Sequence, residues 1–280
     1  MKFGFVATCG STDQILQMAV EAERAGWDGF FTWDGISVGP YDTFDPWALL
    51  GAVAATTSTI RIGAMVFSLP RRKPWEVARQ AVTVDHLSGG RLVMPVGLGA
   101  VDDGGYSRVS GETTDIRTRA QLLDDTLAIL DRAWTGEPFS YDGTHHHVRH
   151  MVFRPTPVQS PIPIWVVGAW PAPRSMRRAS TRQGVLPANI ANPMEPLPPE
   201  EIAKMLAWVT EHRPPDAGPF DVVVEGILPA DPGEAHARIQ GLADAGATWW
   251  IESRWDFDRE TPQTLLDRIR QGPVPSVQPG

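Results

Sequence analysis

The segment from Ile60 to Gly99 constrains the fold more than any other part of the chain. It opens with IRIGAMVF, an apolar and β-branched run that is too short for a helix and is typical of a strand buried on both faces. The next stretch, Pro74–Leu87, has apolar residues near a period of 3.6 and predicts a helix, and RLVMPVGLG predicts a second buried strand. A strand, a helix and a strand in this order predict a right-handed βαβ unit of a parallel sheet.

The same alternation continues along the whole chain. Further strands are predicted at Lys2–Ala7, Gly29–Trp33, Ile164–Gly168, Gly184–Asn189, Asp221–Ile227 and Trp249–Ser253. Helices are predicted at Thr12–Ala25, Pro46–Thr57, Arg117–Trp134 and Thr261–Gln271, with helical segments also before the last three strands. Eight such units favour a single α/β fold, a closed (β/α)₈ TIM barrel, over an open doubly wound sheet.

Two segments interrupt the pattern. Gly136–Pro163 alternates and carries turn residues, which predicts an irregular excursion with a hairpin between strands four and five. Ala100–Ile116 is rich in glycine and aspartate and is too long for an ordinary connection, so we expect a lid over the site. We expect one domain over residues 1–280, with a flexible tail over 273–280.

Composition excludes several functional classes. A net charge of −8 and a pI near 5.4 argue against a nucleic-acid partner, which favours a basic surface. The single cysteine, Cys9, excludes an internal disulfide framework, and no apolar run is long enough to span a membrane. We therefore expect a cytoplasmic protein that acts on a small molecule.

A barrel places its active site at the carboxyl ends of its strands, and this rule selects the candidate residues. Three acids are expected there, Asp34, Glu225 and Glu252, and each could orient a cofactor, act as a base or cap a helix. The substrate pocket is predicted to include Cys9, Trp33, Asn189 and Trp250. His86 lies in a segment that leads into a strand, so we expect a structural role for it at the opposite face.

The sequence GAWPAPRSMRRAS, after the fifth predicted strand, carries the strongest ligand signal. A helix begins near Pro173 with Arg174 and Ser175 in its first turn, and a helix N-terminus with a hydroxyl and a guanidinium can hold a phosphate. A capped helix with solvated arginines is the alternative, and the position at the active face favours the phosphate. The three histidines His145–His147 lack an accompanying carboxylate or cysteine cluster, so no metal site is expected.

The blocks AVEAERAGWDGFFTWD, DPWALLGAVAATTSTIRIGAMV, RRKPWEVARQAVTVDHLSGGRLVMPVGLG and GEPFSYDG followed by PIPIWVVG occur in this order. With them the chain resembles the bacterial luciferase-like family of flavin-dependent oxidoreductases over nearly its whole length. The resemblance implies a β/α barrel that binds FMN or the deazaflavin F420 at its carboxyl-terminal mouth. It departs from the family pattern at Gly35, where relatives often have a histidine.

The resemblance also implies the cofactor residues. A non-proline cis peptide, matching Met65–Val66 here, is expected beneath the flavin ring, and the phosphate is expected near the loop after strand five. The implied cofactor-binding residues are Ala64, Met65, Val66, Gly97, Leu98, Gly99, Gly168, Ala169, Trp170, Arg174, Ser175 and Met176.

The leading functional hypothesis is a monooxygenase that uses reduced FMN and O₂ on a small organic substrate, with a dry pocket mattering more than acid or base groups. The alternative with F420 is a hydride transfer without oxygen. A flavin-binding protein without turnover and a metal-dependent barrel hydrolase are further alternatives, the latter weakened by the missing ligand cluster. A separate flavin reductase and a second copy of the chain, in a homodimer, are the expected protein partners.

Overall fold

The computed structural model of the protein describes residues 1–193, 195–256 and 258–273. Its strands are β1 (Lys2–Val6), β2 (Gly29–Thr32), β3 (Arg61–Ala64), β4 (Phe67–Ser68), β5 (Met94–Gly97), β6 (Phe139–Asp142), β7 (His147–Met151), β8 (Ile164–Trp170), β9 (Gly184–Asn189), β10 (Asp221–Gly226) and β11 (Trp249–Glu252). Its helices are α1 (Thr12–Arg24), α2 (Pro46–Thr56), α3 (Pro74–Ser88), α4 (Gly104–Ser107), α5 (Ile116–Ala133), α6 (Pro173–Ser180), α7 (Pro199–His212), α8 (Pro232–Asp244) and α9 (Pro262–Arg270). Of the predicted tail, residues 274–280 lie outside the described residues.

The order of these elements confirms the predicted alternation of strands and helices, with two differences. The strand predicted from Ile60 to Phe67 is divided into β3 and β4, and Met65 and Val66 between them are joined by a cis peptide bond. The resemblance implied this cis bond. The second difference is the short helix α4, which lies inside the predicted lid.

The chain forms two compact units. Unit 1 comprises Met1–Phe31 together with Ile164–Gly280, and unit 2 comprises Thr32–Pro163. The single domain expected from chain length stays a prediction. No helix in the described ranges combines the length and the apolar character that a membrane span requires.

In unit 1 the strands pair in parallel, and one face of this sheet is filled by aromatic rings. Phe31 and Trp165 have ring centroids 6.1 Å apart, and Trp165 and Trp249 have centroids 5.2 Å apart. Small residues make room for these rings, since a Cβ on Gly29 would lie 2.7 Å from Phe31 and one on Gly184 would lie 2.5 Å from Trp165. We call this side of the unit 1 sheet the aromatic face.

In unit 2 strands β4 and β5 pair in parallel, helix α3 packs between α2 and α5, and the excursion forms the predicted hairpin, β6 with β7. Arg91 binds the end of α2, donating at 2.9 Å to the carbonyl oxygens of Ala54 and Thr57. Helix α3 ends where Gly89 adopts a φ of +63°, a conformation that glycine permits at little cost. These contacts agree with the structural role expected for the segment from Asp85 to Arg91.

Candidate functional site

The first turn of α6, in unit 1, presents backbone donors. Its N-cap, Ala172, supplies no side-chain acceptor, and Pro173 has no N–H, so the amides of Arg174 and Ser175 have no intrahelical partner. The Arg174 guanidinium is exposed and has no partner among the described residues. Two free N–H groups at the positive end of a helix, beside a free guanidinium, form a site that suits a phosphate.

Ser175 contributes to this turn in a different way from the one predicted. Its hydroxyl accepts a hydrogen bond from the Ala169 amide at 3.0 Å and lies 3.4 Å from the Val167 carbonyl oxygen. The hydroxyl therefore fastens α6 to β8, and what remains for a ligand is the Ser175 N–H.

The close packing of α6 on β8 also explains Gly168 and Met176. A Cβ on Gly168 would lie 2.6 Å from Val185 and 2.9 Å from the Met176 sulfur. Met176 is fully buried, so its side chain belongs to this packing and does not line the predicted cofactor site. Trp170 points toward α7, where its Nε1 donates to Glu201 at 2.8 Å.

Glu225 lies near the carboxyl end of β10 on the aromatic face. Its register partner on β11 is Ile251, and two residues earlier Val223 pairs with Trp249. The side chain is exposed to water, and it has no hydrogen-bond or ionic partner among the described residues. Desolvation by the neighbouring protein atoms raises the pKa of this carboxyl to about 6 from the usual 4.5.

Glu252, at the end of the neighbouring strand β11, has the opposite surroundings. Its side chain is inaccessible to solvent and pairs with Arg254 at 2.9 Å and with Arg268 at 3.5 Å. Trp250 Nε1 also donates to it at 3.3 Å. The geometry makes this carboxylate the anchor of a buried ion cluster.

The predicted substrate-pocket residues of unit 1 occupy three different environments. Trp250 is fully buried with its ring under Arg238 of α8, so the structure places it in strand–helix packing rather than in a pocket. Asn189 accepts from the Ala191 and Asn192 amides and shapes the turn after β9. Cys9 is half-buried, and desolvation, with the Glu260 charge, raises the pKa of its thiol.

In unit 2, Asp34 is held by two arginines that the sequence analysis did not select. Its carboxylate binds Arg71 at 2.5 Å and Arg72 at 2.8 Å, and it accepts from the Ser68 amide at 2.9 Å. The Asp34 side chain is 0% exposed, which leaves no oxygen free for a substrate. The available signal for these partners was the adjacent arginines of SLPRRKP, which follow the third predicted strand, while Asp34 follows the second.

The predicted lid is fixed at its centre. Asp103 accepts from the amides of Ile36, Ser37 and Gly105 and pairs with Arg71 at 2.9 Å. Burial acts to raise the pKa of this carboxyl, and the three amide donors and the Arg71 charge together lower it below its usual value. The segment around α4 is thereby fixed to its surroundings, and its role as a lid over the site stays a prediction.

The implied cofactor-binding residues of unit 2, Ala64–Val66 and Gly97–Gly99, are tightly packed. Ala64 and Met65 are buried, and Val66 and Leu98 are half-buried. Arg119, another residue that sequence reasoning missed, donates to the carbonyl oxygens of Leu98 and Gly99 at 3.1 and 2.8 Å. The carbonyl oxygens of the two residues after β5 therefore already accept hydrogen bonds from the protein itself.

Tyr106 and Gly35 complete this region. Tyr106 is buried, hydrogen-bonds Ser68, and lies beneath the guanidinium groups of Arg71 and Arg119. Gly99, with φ +80°, lies against Ser68 and Tyr106 where no side chain fits. Likewise a Cβ on Gly35 would lie 2.7 Å from the Trp33 ring, so the half-buried Trp33 fills the space in which a larger residue at 35 would begin.

The histidines that the sequence singled out, His86 and His145–His147, have structural partners. His86 Nε2 contacts the Thr156 carbonyl oxygen at 2.8 Å, His145 contacts Gln121 at 3.0 Å, and His147 contacts Asp142 at 2.5 Å. His146 packs edge-on against Trp75. Across the part of the chain that the structure describes, no group of three metal-ligating side chains converges.

Comparison with known proteins supplies the family. The model of the luciferase-like monooxygenase family matches residues 1–264. An F420-dependent glucose-6-phosphate dehydrogenase of Gordonia bronchialis is 26% identical over 185 residues, covering 61% of this chain and 52% of that enzyme. The 4-hydroxyprotoasukamycin monooxygenase of Streptomyces nodosus subsp. asukaensis is 31% identical over 185 residues, covering 65% of this chain and 48% of that enzyme. The matches thus span about half the length of these curated relatives.

A solved structure of an F420-dependent secondary alcohol dehydrogenase, in complex with an F420–acetone adduct, has a TM-score of 0.77 at 14% identity. The likeness covers 96% of this chain and 97% of that one and shows the fold, confirming the predicted luciferase-like (β/α)₈ barrel. Because the family model matches nearly the entire sequence, the chain belongs to the luciferase-like monooxygenase family.

Proposed function

We propose that this protein is an oxidoreductase that uses the deazaflavin F420 to transfer a hydride to or from a small organic substrate. The observation that carries the proposal is the first turn of α6, where two free amides and the unpartnered Arg174 guanidinium fit a phosphate group. FMN and F420 both carry such a phosphate. The site therefore supports a phosphate-bearing redox cofactor, and the choice between the two rests on other grounds.

The relatives favour F420 over the FMN that the sequence analysis placed first. Enzymes named F420-dependent glucose-6-phosphate dehydrogenase recur among the curated relatives, from Gordonia, Microbacterium, Tsukamurella and Beutenbergia. When bound, F420 supplies a ring that exchanges a hydride, which is two electrons and a proton nucleus, without needing oxygen. An FMN-dependent monooxygenase is the second candidate, and the 31% identity to 4-hydroxyprotoasukamycin monooxygenase supports it.

The chain's own residues would divide the work of binding. Arg174 and the free amides of α6 would neutralise and orient the phosphate, and the Ser175 hydroxyl would keep that turn attached to β8. For unit 2, Ala64–Val66 and Gly97–Gly99 remain cofactor-binding residues that the family resemblance implies. A separate flavin reductase is required only by the FMN alternative, since oxygenation consumes reduced FMN, and the homodimer remains a proposal.

Titration of the purified protein with F420, FMN and reduced FMN, followed by absorbance and fluorescence, tests the proposal. We expect F420 to bind at least about tenfold more tightly than FMN, a difference of about 1.4 kcal/mol. Tighter binding of reduced FMN together with substrate-dependent O₂ uptake would support the second candidate instead. Binding of none of the three would refute both.

Replacement of Arg174 by alanine tests the phosphate site itself. We expect F420 affinity to fall about five- to tenfold, or about 1 to 1.4 kcal/mol, because one charged contact is removed. The matched control is Arg177→Ala, since Arg177 is exposed on the last turn of the same helix, and it should change the affinity less than about twofold. Equal effects of the two variants would show that only general positive charge matters.

A further inference from the structure

We infer that Glu225 exchanges the hydroxyl proton of the substrate, and that the substrate is a small uncharged alcohol or the corresponding carbonyl compound. The inference rests on the proposed hydride transfer and goes beyond it, because it names the proton-transferring group and the substrate class. Three observations on β10 carry it: the position of the carboxyl, its lack of partners and the apolar character of its neighbours.

The position follows from strand register. Glu225 pairs with Ile251, and Ile251 lies on the face where its Cδ1 would meet a Cβ of Gly4 at 2.7 Å. Two residues earlier on the same face, Val223 pairs with Trp249, which contacts Trp165. The carboxyl thus lies one layer nearer the carboxyl end of the strands than the aromatic rings, which close the face below it.

The lack of partners separates Glu225 from the other acids proposed from the sequence. Asp34 and Glu252 are inaccessible to solvent and neutralised by arginines, whereas Glu225 is open to water and has no partner among the described residues. A carboxyl that stabilises a fold is normally satisfied by donors. An accessible carboxyl that has protein around it but no hydrogen-bond donor from that protein is available to a bound ligand.

The charged groups on the elements around Glu225 do not compensate it. On β11, Glu252 and its arginines lie on the opposite face of the sheet, as does Arg238 of α8, whose guanidinium lies over the Trp250 ring. On β10 itself, Asp221 is four residues away, roughly 13 Å along the strand. Desolvation by the surrounding protein raises the pKa of the Glu225 carboxyl to about 6, so near pH 7 it is mostly a carboxylate with a small acid fraction.

Glu225 would take up the proton that the substrate hydroxyl loses. In the oxidative direction, the substrate O–H bond would break with its proton going to the Glu225 carboxylate, and a bound oxidised F420 would supply the acceptor for the hydride of the broken C–H bond. The electron pair of the O–H bond forms the second bond of the C=O group, and Glu225 later releases its proton to water. In the reverse direction protonated Glu225 would return the proton to the oxygen of the carbonyl compound, and the hydride would come from the reduced cofactor. An anionic substrate is disfavoured, since it would meet an unpaired carboxylate beside an apolar face.

The first test needs no cofactor. In protein labelled with ¹³C-glutamate, the carboxyl resonances are followed by NMR from pH 4 to pH 8 in the wild type, Glu225→Gln and Glu234→Gln. Glu234 is an exposed glutamate at the start of α8 and serves as the matched control. We expect a resonance that titrates near pH 6 to be lost only in Glu225→Gln. Loss of a resonance that titrates at or below pH 4.5 would overturn the inference.

The second test separates this inference from the proposed function. F420 is mixed with 2-propanol, cyclohexanol or glucose 6-phosphate, and the loss of F420 absorbance is recorded against pH. We expect a neutral alcohol to react best, with a rate that rises through an apparent pKa near 6, and Glu225→Gln to lower this rate at least about 100-fold and flatten its pH profile. Glu225→Asp should recover part of the rate, and F420 affinity should change less than about twofold in all variants.

The outcomes are distinct. Failure of the wild type to bind F420 would refute the proposed function. The NMR titration needs no cofactor, so it would still test the raised pKa of the Glu225 carboxyl. Unchanged rates in Glu225→Gln would overturn the role of Glu225 while leaving F420 chemistry intact. Preference for glucose 6-phosphate, or no reaction with either alcohol in protein that binds F420, would overturn the substrate class.

Discussion

Two neighbouring strands of unit 1 end in glutamates whose surroundings differ. Glu252 on β11 is inaccessible to solvent and is shared by Arg254, Arg268 and the Trp250 indole. Glu225 on β10 faces the other side of the sheet, is open to water and has no partner in the described part of the chain. The two carboxyls are one register step apart, since Glu225 pairs with Ile251.

This difference distinguishes a carboxylate that holds the fold from one that is available for chemistry. A buried carboxylate costs several kcal/mol of desolvation, which only a full set of donors offsets, so once paired it is committed. The same rule applies to unit 2. Asp34 and Asp103 both pair with Arg71, so they are structural carboxylates like Glu252. Partners therefore decide a carboxyl's role more than its position at a strand end.

The largest expected effect comes from breaking the Glu252 cluster. Glu252→Ala should lower the free energy of unfolding by about 3–5 kcal/mol, because it leaves the partly buried Arg268 guanidinium without its counter-charge and Arg254 with Glu260 alone. Urea unfolding followed by tryptophan fluorescence measures this. Glu225→Ala is the comparison and should cost less than about 1 kcal/mol. Equal losses in the two variants would remove the distinction between the strands.

A slightly smaller effect is expected from Asp34→Asn in unit 2. The amide keeps one acceptor oxygen but loses the charge that faces Arg71 and Arg72, so unfolding should become easier by about 2–3 kcal/mol. Asp42→Asn, at an exposed position of the same unit, should change stability by about 0.5 kcal/mol or less. If both variants behave alike, the Asp34 ion pairs contribute nothing measurable.

Asp103→Asn should cost about 1–2 kcal/mol at pH 7 and should reduce the acid sensitivity of the protein. The pKa of Asp103 is lowered in the folded state, so its contribution is present above the unfolded value near 3.8 and is lost as the pH falls through the folded value. Unfolding measured between pH 2.5 and pH 7 should show wild type and variant converging at the acid end. Parallel curves would contradict the inferred amide contacts.

The smallest effect, with the opposite sign, is expected for Glu225→Gln. The folded pKa of Glu225 is raised, so its stabilising contribution is complete below pH 4.5 and is lost as the pH rises through about 6. Relative to the variant, the wild type should become less stable between pH 4.5 and pH 7. Thermal unfolding of both proteins across this range checks the direction. A trend like that of Asp103 would mean that Glu225 has gained a partner in solution.

The secondary structure followed closely from the sequence. Strand β9 begins and ends at the predicted residues, and α1 ends one residue before the predicted Ala25, because apolar periodicity and capping residues such as Ser11 act locally. The contacts of the predicted lid did not follow from the sequence, because Asp103 binds amides that are 66 and 67 residues away in sequence.

The positions of the candidate site residues could be predicted from the sequence, but their roles could be predicted only in part. Strand ends located Asp34, Glu225 and Glu252, and the GAWPAPRS turn located the helix start at Pro173. The cis bond between Met65 and Val66 and the family followed from resemblance and are confirmed. Arg71, Tyr106 and Arg119 were missed, since their importance lies in contacts that no local pattern encodes.

By itself the sequence determined the alternation of strands and helices, the family and the strand ends at which chemistry is placed, because hydrophobic periodicity and motif order are properties of short segments. The tertiary structure decided which acid is free. Glu225 and Glu252 both follow short apolar strands, but the pairing of β10 with β11 puts them on opposite faces. Arg268, from the helix that follows β11, reaches only the Glu252 side. A carboxyl's chemistry depends on the charges and the solvent that surround it, and folding alone brings those together.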